Sequence, residues 1–263
     1  MKKSFFTGFF ALVLLAFTAC EKKQSSQSDL LDNQCVFQPF SKRLHKVIKT
    51  NTYPGTSLPP YVRTTEYFFD DQGRLDSMLN DQTASAVSYD LSGRVSQLRH
   101  YAYQQPQTLT GVTTYYYNNG LLDKTVENHP GSPTSWSLSW FYEWDANGFI
   151  VKTWTENGND KRVFTRDECG NVLKTQDFYN DTNAEHFLSE ATYDPTPNPR
   201  YLIGLDAILP GSYSVNNPNY SRIIHWDCSD YDGSPNFSEY EYDAEGLPVK
   251  MTNSYGTEEY FYE

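Results

Sequence analysis

An eight-residue phrase, SYDLSGRV at 88–95, recurs along this chain and constrains what it can fold into. The pattern is an aromatic residue, Asp or Asn, two variable residues, Gly, then a basic or apolar residue. Relatives are FFDDQGRL at 68–75, EWDANGFI at 143–150, TRDECGNV at 165–172 and EYDAEGLP at 241–248, with a shortened YYNNGLL at 116–122. An Asp so placed accepts a hydrogen bond from backbone two residues on, and Gly takes the left-handed conformation that closes a short loop. Asp70, Gly73, Asp90, Gly93, Gly120, Asp145, Gly148, Asp167, Gly170, Asp243 and Gly246 are therefore expected to be the structural residues of hairpin turns.

The repeat glycines Gly73, Gly93, Gly120, Gly148 and Gly170 follow one another at intervals of 20 to 28 residues. Such an interval holds two strands and a second turn at the far end, so one repeat is one hairpin. Looser polar stretches at 80–83, 104–107, 128–134, 157–160 and 180–184 supply the second turns. Tyr, Phe, Trp, Thr and Val flank nearly every unit, as strands require. Aromatic residues make up 16% of the chain, enough for bands of cross-strand pairs. No helix-period pattern of useful length appears after residue 36. The expected fold is an all-β antiparallel meander of repeated hairpins, with roughly sixteen strands.

The first nineteen residues read as an export signal: Lys2 and Lys3, an apolar run at 5–17 too short to span a bilayer, then Thr18 and Ala19 before Cys20. Small residues just before a Cys resemble a lipobox, which makes Cys20 the site of lipid attachment; Phe17 stands where many lipoboxes carry an aliphatic residue. The alternative is an ordinary secretory signal that contains a Cys. The expected organisation is a signal peptide at 1–19, lipidated Cys and flexible tether at 20–35, and a repeat-built β domain at 36–263. Loss of Lys2 and Lys3 with the signal takes the formal charge from −12 to −14. That surface argues against nucleic acid, which is bound through basic groups. The membrane link is then covalent lipid, on the outer membrane, with periplasmic face and cell surface both open.

After Gly170 the periodicity degrades. Pro195, Pro197 and Pro199 remove three backbone donors, so 192–204 cannot run as an interior strand, and the irregular stretch that follows has room for a short helical turn. Here the residues carry a resemblance. The Tyr-Asp-x-x-Gly-Arg units resemble the YD repeats of the RHS class. Their combination with YDPTPNP, SVNNPN and EYEYDAEGLPVK before a Tyr-rich terminus is similar to a family of Bacteroidota lipoproteins of unknown function, described as having a porin-like fold. The resemblance covers 36–263. It implies a meander curled into a barrel or half-barrel, and no established activity.

A transmembrane barrel needs an unbroken apolar row facing lipid on each strand. Here Lys161 lies on one face and Arg162 and Arg166 on the other, and Arg94 and Arg99 are split likewise. A soluble, tethered barrel is therefore expected over a channel. Catalytic signals are weak. His45, His100, His129, His186 and His225 form no metal-binding pair; no nucleophile elbow or phosphate loop is present; and the turn aspartates lack the spacing of a calcium loop. No cofactor, no metal and no enzymatic activity are expected, with a glycan-acting hydrolase the remote alternative. Beyond Cys20 the cysteines are Cys35, Cys169 and Cys228, which allow one disulfide and leave an odd thiol; strand parity favours Cys35 with Cys169. The most ligand-like feature is a row on one strand face, Trp136, Trp140, Tyr142 and Trp144, suited either to core packing or to stacking on a glycan or another ligand, protein partners remaining open.

Overall fold

A computed structural model describes residues 41–53, 57–103, 105–130, 136–179, 185–211, 214–226 and 235–263. The chain is an antiparallel meander whose last strand returns to its first. In order the strands are β1 (Leu44–Asn51), β2 (Tyr61–Phe69), β3 (Leu75–Asn80), β4 (Thr83–Tyr89), β5 (Val95–Ala102), β6 (Gln105–Asn118), β7 (Leu121–Asn128), β8 (Ser137–Trp144) and β9 (Ile150–Thr155). They continue as β10 (Asp160–Arg166), β11 (Val172–Tyr179), β12 (Glu185–Pro197), β13 (Asn216–Trp226), β14 (Asn236–Phe237), β15 (Glu239–Tyr242), β16 (Pro248–Asn253) and β17 (Gly256–Tyr262). Each pairs with the next, and β1 lies between β2 and β17, with Val47 opposite Tyr260. The ladder breaks only at Ser238, where β14 gives way to β15 within one passage of chain and the Ser238 N–H donates to the Asn219 carbonyl at 2.9 Å. This interruption is why about sixteen expected strands become seventeen elements. The sheet is a nearly closed barrel rather than a half-barrel.

Each repeat turns the chain at the same end. Asp70, Asp90, Asp145, Asp167 and Asp243 all accept the N–H of the Gly three residues on with their backbone carbonyl. Their Oδ1 atoms accept backbone N–H groups at the second and fourth residues beyond, at 2.8–3.0 Å. The closing glycines sit at φ between 78° and 88°, a region that costs an L-residue about 1–2 kcal/mol. The short unit closes instead on Asn119 and Gly120, both at positive φ, the two-residue hairpin loop that suits twisted strands. A register shift accompanies every such turn, so that Phe69, Tyr89, Tyr117, Trp144, Arg166 and Tyr242 each pair with the residue two beyond the Gly. Of these, Phe69, Tyr89, Tyr117 and Trp144 pack against the core, the bulge re-aiming the side chain before the turn.

Between β12 and β13 the chain leaves the wall and enters the lumen. Strand β12 runs on through Pro195 to Pro197, but past Glu190 it pairs only with β13, and irregularly, so the missing proline donors break no ladder. The inserted loop carries two single-turn helices, α1 (Pro199–Leu202), capped by the Asn198 side chain, and α2 (Leu205–Ile208). Its two ends meet where the Asn198 N–H donates to the Val215 carbonyl at 2.8 Å. Leu205 and Ile208 are almost fully buried in one cluster with Leu44, Val47, Leu75, Val95, Leu98 and Tyr115 from the wall. The Tyr115 hydroxyl donates to the Ile208 carbonyl. Asn216 and Asn217 fix the base of the loop: the Asn216 N–H donates to Asn171 Oδ1 at 2.8 Å, and Asn217 Nδ2 donates to the Pro197 carbonyl at 3.0 Å. These buried amides meet their hydrogen-bonding demand there, as burial requires.

Candidate functional site

Several residues at the ends of the strands that enter these turns reach across to the preceding repeat, while Phe69 has no donor and Tyr242 bonds Asp194 and Thr196 instead. Hydroxyls of Tyr89, Tyr117 and Tyr193 donate to the carbonyls of Leu75, Val95 and Val172 at 2.7, 2.8 and 2.7 Å. Trp144 Nε1 does the same to Leu122 at 2.7 Å, and Arg166 Nε, the non-aromatic member, to Ile150 at 2.8 Å. Tyr262 closes the series on Pro248 at 2.7 Å. In every case the acceptor lies two residues past the turn glycine. The arginines that follow two of those glycines lie over the next ring: Arg74 over Tyr89 at 4.1 Å and Arg94 over Tyr117 at 4.5 Å, each also paired with its own Asp at 2.7 Å. Asp70 and Asp90 are held below the ordinary aspartate range, first by the backbone N–H of Arg74 and of Arg94. Burial raises the hydroxyl pKa of Tyr89, Tyr117 and Tyr193, which keeps them protonated donors.

The inserted loop contributes to the walls of three cavities lined by described residues. One, of about 530 Å³, lies at the turn end under Gly73, Gly93 and Gly120; Tyr89, Tyr117, Trp144 and the loop residues Leu202 and Ile203 line it, with Arg43, Arg74 and Arg94 at its rim. A second, of about 540 Å³, is polar and lies beside β12–β17, lined by Arg162, Arg200, Asn217, Ser221, Tyr240 and Glu258. The third, about 240 Å³, is lined by His100, Glu127, Trp140, Tyr142 and Ile208 among others. The first two fall in the size range of ligand pockets, roughly 300–1,000 Å³.

Among the described residues two carboxylates, Asp177 and Glu258, are buried, and both are engaged. Asp177 receives Arg162 through two hydrogen bonds of 2.6 and 2.8 Å, which raises the Arg162 pKa further. Glu258 receives Arg200 of α1 at 2.8 Å, Lys49 at 3.1 Å and the Tyr260 hydroxyl at 3.1 Å. Burial pushes the Glu258 carboxyl up, but Arg200 and Lys49 outweigh it and hold it below the ordinary glutamate value. In the small cavity the Ser85 hydroxyl meets His100 Nδ1 at 2.9 Å, and His129 Nε2 lies 2.7 Å from Glu127. Burial lowers the His100 pKa, His129 adding to the effect and Glu127 opposing it.

The aromatic row of β8 is not one platform. Trp136 precedes the strand, is exposed, and stacks on His129 at 4.1 Å. Trp140 and Tyr142 line the small cavity, where Tyr142 shares a 2.8 Å hydrogen bond with Thr125 and burial pushes its pKa up to about 12. Trp144 faces the turn-end cavity. Cys169 is disulfide-bonded and is the only cysteine among the described residues. Cys20, Cys35 and Cys228, with the signal and tether at 1–35, lie outside the described residues, as do the side chains of His186 and His225.

Several lumen residues escaped the reading by motif: Arg43, Arg200, Glu258 and the Arg162–Asp177 pair. Glu258 carried a signal, since period-two alternation puts it on the face of Tyr260 and Tyr262, where an acid calls for a cation. Among the described residues no group of three His, Cys, Asp or Glu side chains gathers as metal ligands.

Comparison with solved structures finds this fold in two Bacteroides proteins, among other matches. A porin-like protein from Bacteroides uniformis ATCC 8492 matches with TM-score 0.57 and 13% identity, over 86% of this chain and 97% of that one. A porin-like protein from Bacteroides vulgatus ATCC 8482 matches with TM-score 0.51 and 11% identity, over 84% and 99%. No family model and no curated protein matches the chain. At these identities the likeness shows the fold: an all-β antiparallel barrel of the porin-like kind.

Proposed function

We propose that this protein is a lipid-anchored module of the outer membrane, attached through Cys20, whose barrel binds a ligand without catalysing a reaction or conducting across the bilayer. The observation that carries this reading is the loop in the lumen, packed through Leu205 and Ile208 and leaving ligand-sized cavities beside it.

Two features weigh against the channel reading. Outward faces carry charge on strand after strand: Lys46 with Glu66, Glu143 with Lys152, Glu241 with Lys250, and Lys161 over Phe178. A Lys or Arg facing lipid at the bilayer midplane costs about 2–4 kcal/mol. Strands β3, β9 and β16 have six residues each, while a spanning strand needs about 9–11. The non-catalytic reading is supported by Asp177 and Glu258, each held in an ion pair with a guanidinium.

Two measurements test the reading. The chain from Glu21 onward is expected to stay monomeric without detergent, and Cys20→Ser in the full chain to abolish lipid labelling and membrane retention. Detergent dependence of the shortened chain would favour the transmembrane channel; membrane retention of Cys20→Ser would remove the anchor.

A further inference from the structure

We propose that the turn-end cavity binds a small amphiphilic carboxylate, its head group on Arg43 and its hydrocarbon body against Tyr117, Trp144 and Ile203. This deepens the ligand-binding reading above and rests on it. Three arginines and one acid, Asp206, line this cavity. Arg74 and Arg94 are each neutralised by the Asp four residues earlier and lie over tyrosine rings, so they serve as walls. Asp206 belongs to the inserted loop and lies in the field of Arg166.

Arg43 differs. It has no acidic partner among the described residues, and packing alone seats it. Its guanidinium lies 5.7 Å from the centre of the Phe69 ring and against Gly73, where an added Cβ would come within 2.4 Å of Nη2. An exposed cation beside an apolar chamber, with no acid on its N–H donors among the described residues, is complementary to a ligand with an anionic end and an apolar end. A guanidinium presents a planar fork that matches a carboxylate. The chamber behind it is walled by Leu75, Val95, Leu122, Trp144 and Ile150, and apolar burial there rewards chain length.

The test uses the chain from Glu21 onward, which contains every described element, and titrates it with decanoate by calorimetry. Decanoate is expected to bind one to one, and each methylene removed from the probe to weaken binding about fourfold. Decanol should bind at least tenfold more weakly, and Arg43→Gln should bring decanoate down to the level of decanol. Ala207 is exposed on α2 and lines the chamber, so Ala207→Trp should block binding while leaving the melting temperature unchanged. A folded, detergent-free chain that ignores decanoate, or an Arg43→Gln variant that binds it as well as the parent, overturns the inference and leaves the anchored-module reading standing. So does association with anionic phospholipid vesicles without uptake of free decanoate. A chain that needs detergent to stay in solution overturns that earlier reading instead.

Discussion

Glu258→Gln should cost this barrel about 3 kcal/mol at neutral pH. Glu258 is 5% exposed and joins the wall to the inserted loop, because its partner Arg200 belongs to α1. Removing one member of a buried ion pair costs about 3–5 kcal/mol, mostly because the other charge is left unpaired. Arg200 keeps 23% of its side-chain exposure, which favours the low end. Lys49 is half exposed, and a pair of that kind adds only about 0–1 kcal/mol. For a chain of this size the loss lowers Tm by about 6–12 °C. The pH dependence has a definite sign. The folded-state pKa of Glu258 is depressed, so its contribution is fully present above the ordinary glutamate value of about 4.3 and disappears as pH falls through the folded value. Urea denaturation at pH 7 should therefore separate parent and variant, and the gap should shrink in strong acid. Equal stability at pH 7, or a gap that persists undiminished in acid, would refute the coupling between loop and wall.

Other predictions concern the repeats and the seam. Gly256→Ala should hinder closure, since a Cβ there would lie 1.8 Å from the Thr50 carbonyl oxygen. Gly120→Ala meets no neighbour within 4 Å and should cost only the left-handed penalty of about 1–2 kcal/mol; a smaller loss for Gly256→Ala than for Gly120→Ala in denaturant titrations would contradict the seam. Tyr117→Phe deprives the Val95 carbonyl of its donor and should cost about 1 kcal/mol, and an unchanged midpoint would sink the stapling role. Burial lowers the His100 pKa, so its folded form resists protonation. Stability should decline as pH drops through the ordinary histidine value of about 6.5, and His100→Gln should flatten that slope between pH 8 and 5.5; an unaltered slope would assign it elsewhere.

The turns were legible because their chemistry is local. An Asp that caps its own loop and a Gly at positive φ need only five consecutive residues, and that span can be read directly. The aromatic before the Asp was visible as a pattern, but its task was not. Tyr89 reaches Leu75 and Tyr117 reaches Val95 only through the pairing register, and Arg166 fills the same place without being aromatic. Closure was equally hidden, since β1 and β17 meet across nearly the whole chain; barrel and half-barrel share their local signals. Proline spacing marked where regular pairing thins out after Glu190. It could not say that the following loop enters the lumen, which depends on Leu205 and Ile208 finding Tyr115 and Leu98. Alternation put Trp140, Tyr142 and Trp144 on one face, while the inserted loop decided that they would serve two different chambers.

Closure of the sheet is tested most directly at the seam itself. Lys46 and Phe261 are cross-strand partners between β1 and β17 and both point outward, and opposed positions of this kind lie within disulfide reach, about 4.4–6.8 Å between Cα atoms. In the chain from Glu21 onward, Lys46→Cys with Phe261→Cys should cross-link within one molecule on mild oxidation, giving a peptide that joins the two strands in mass spectrometry. Recovery of both thiols free, or of cross-links only between molecules, would mean that the first and last strands do not meet and that the barrel is open.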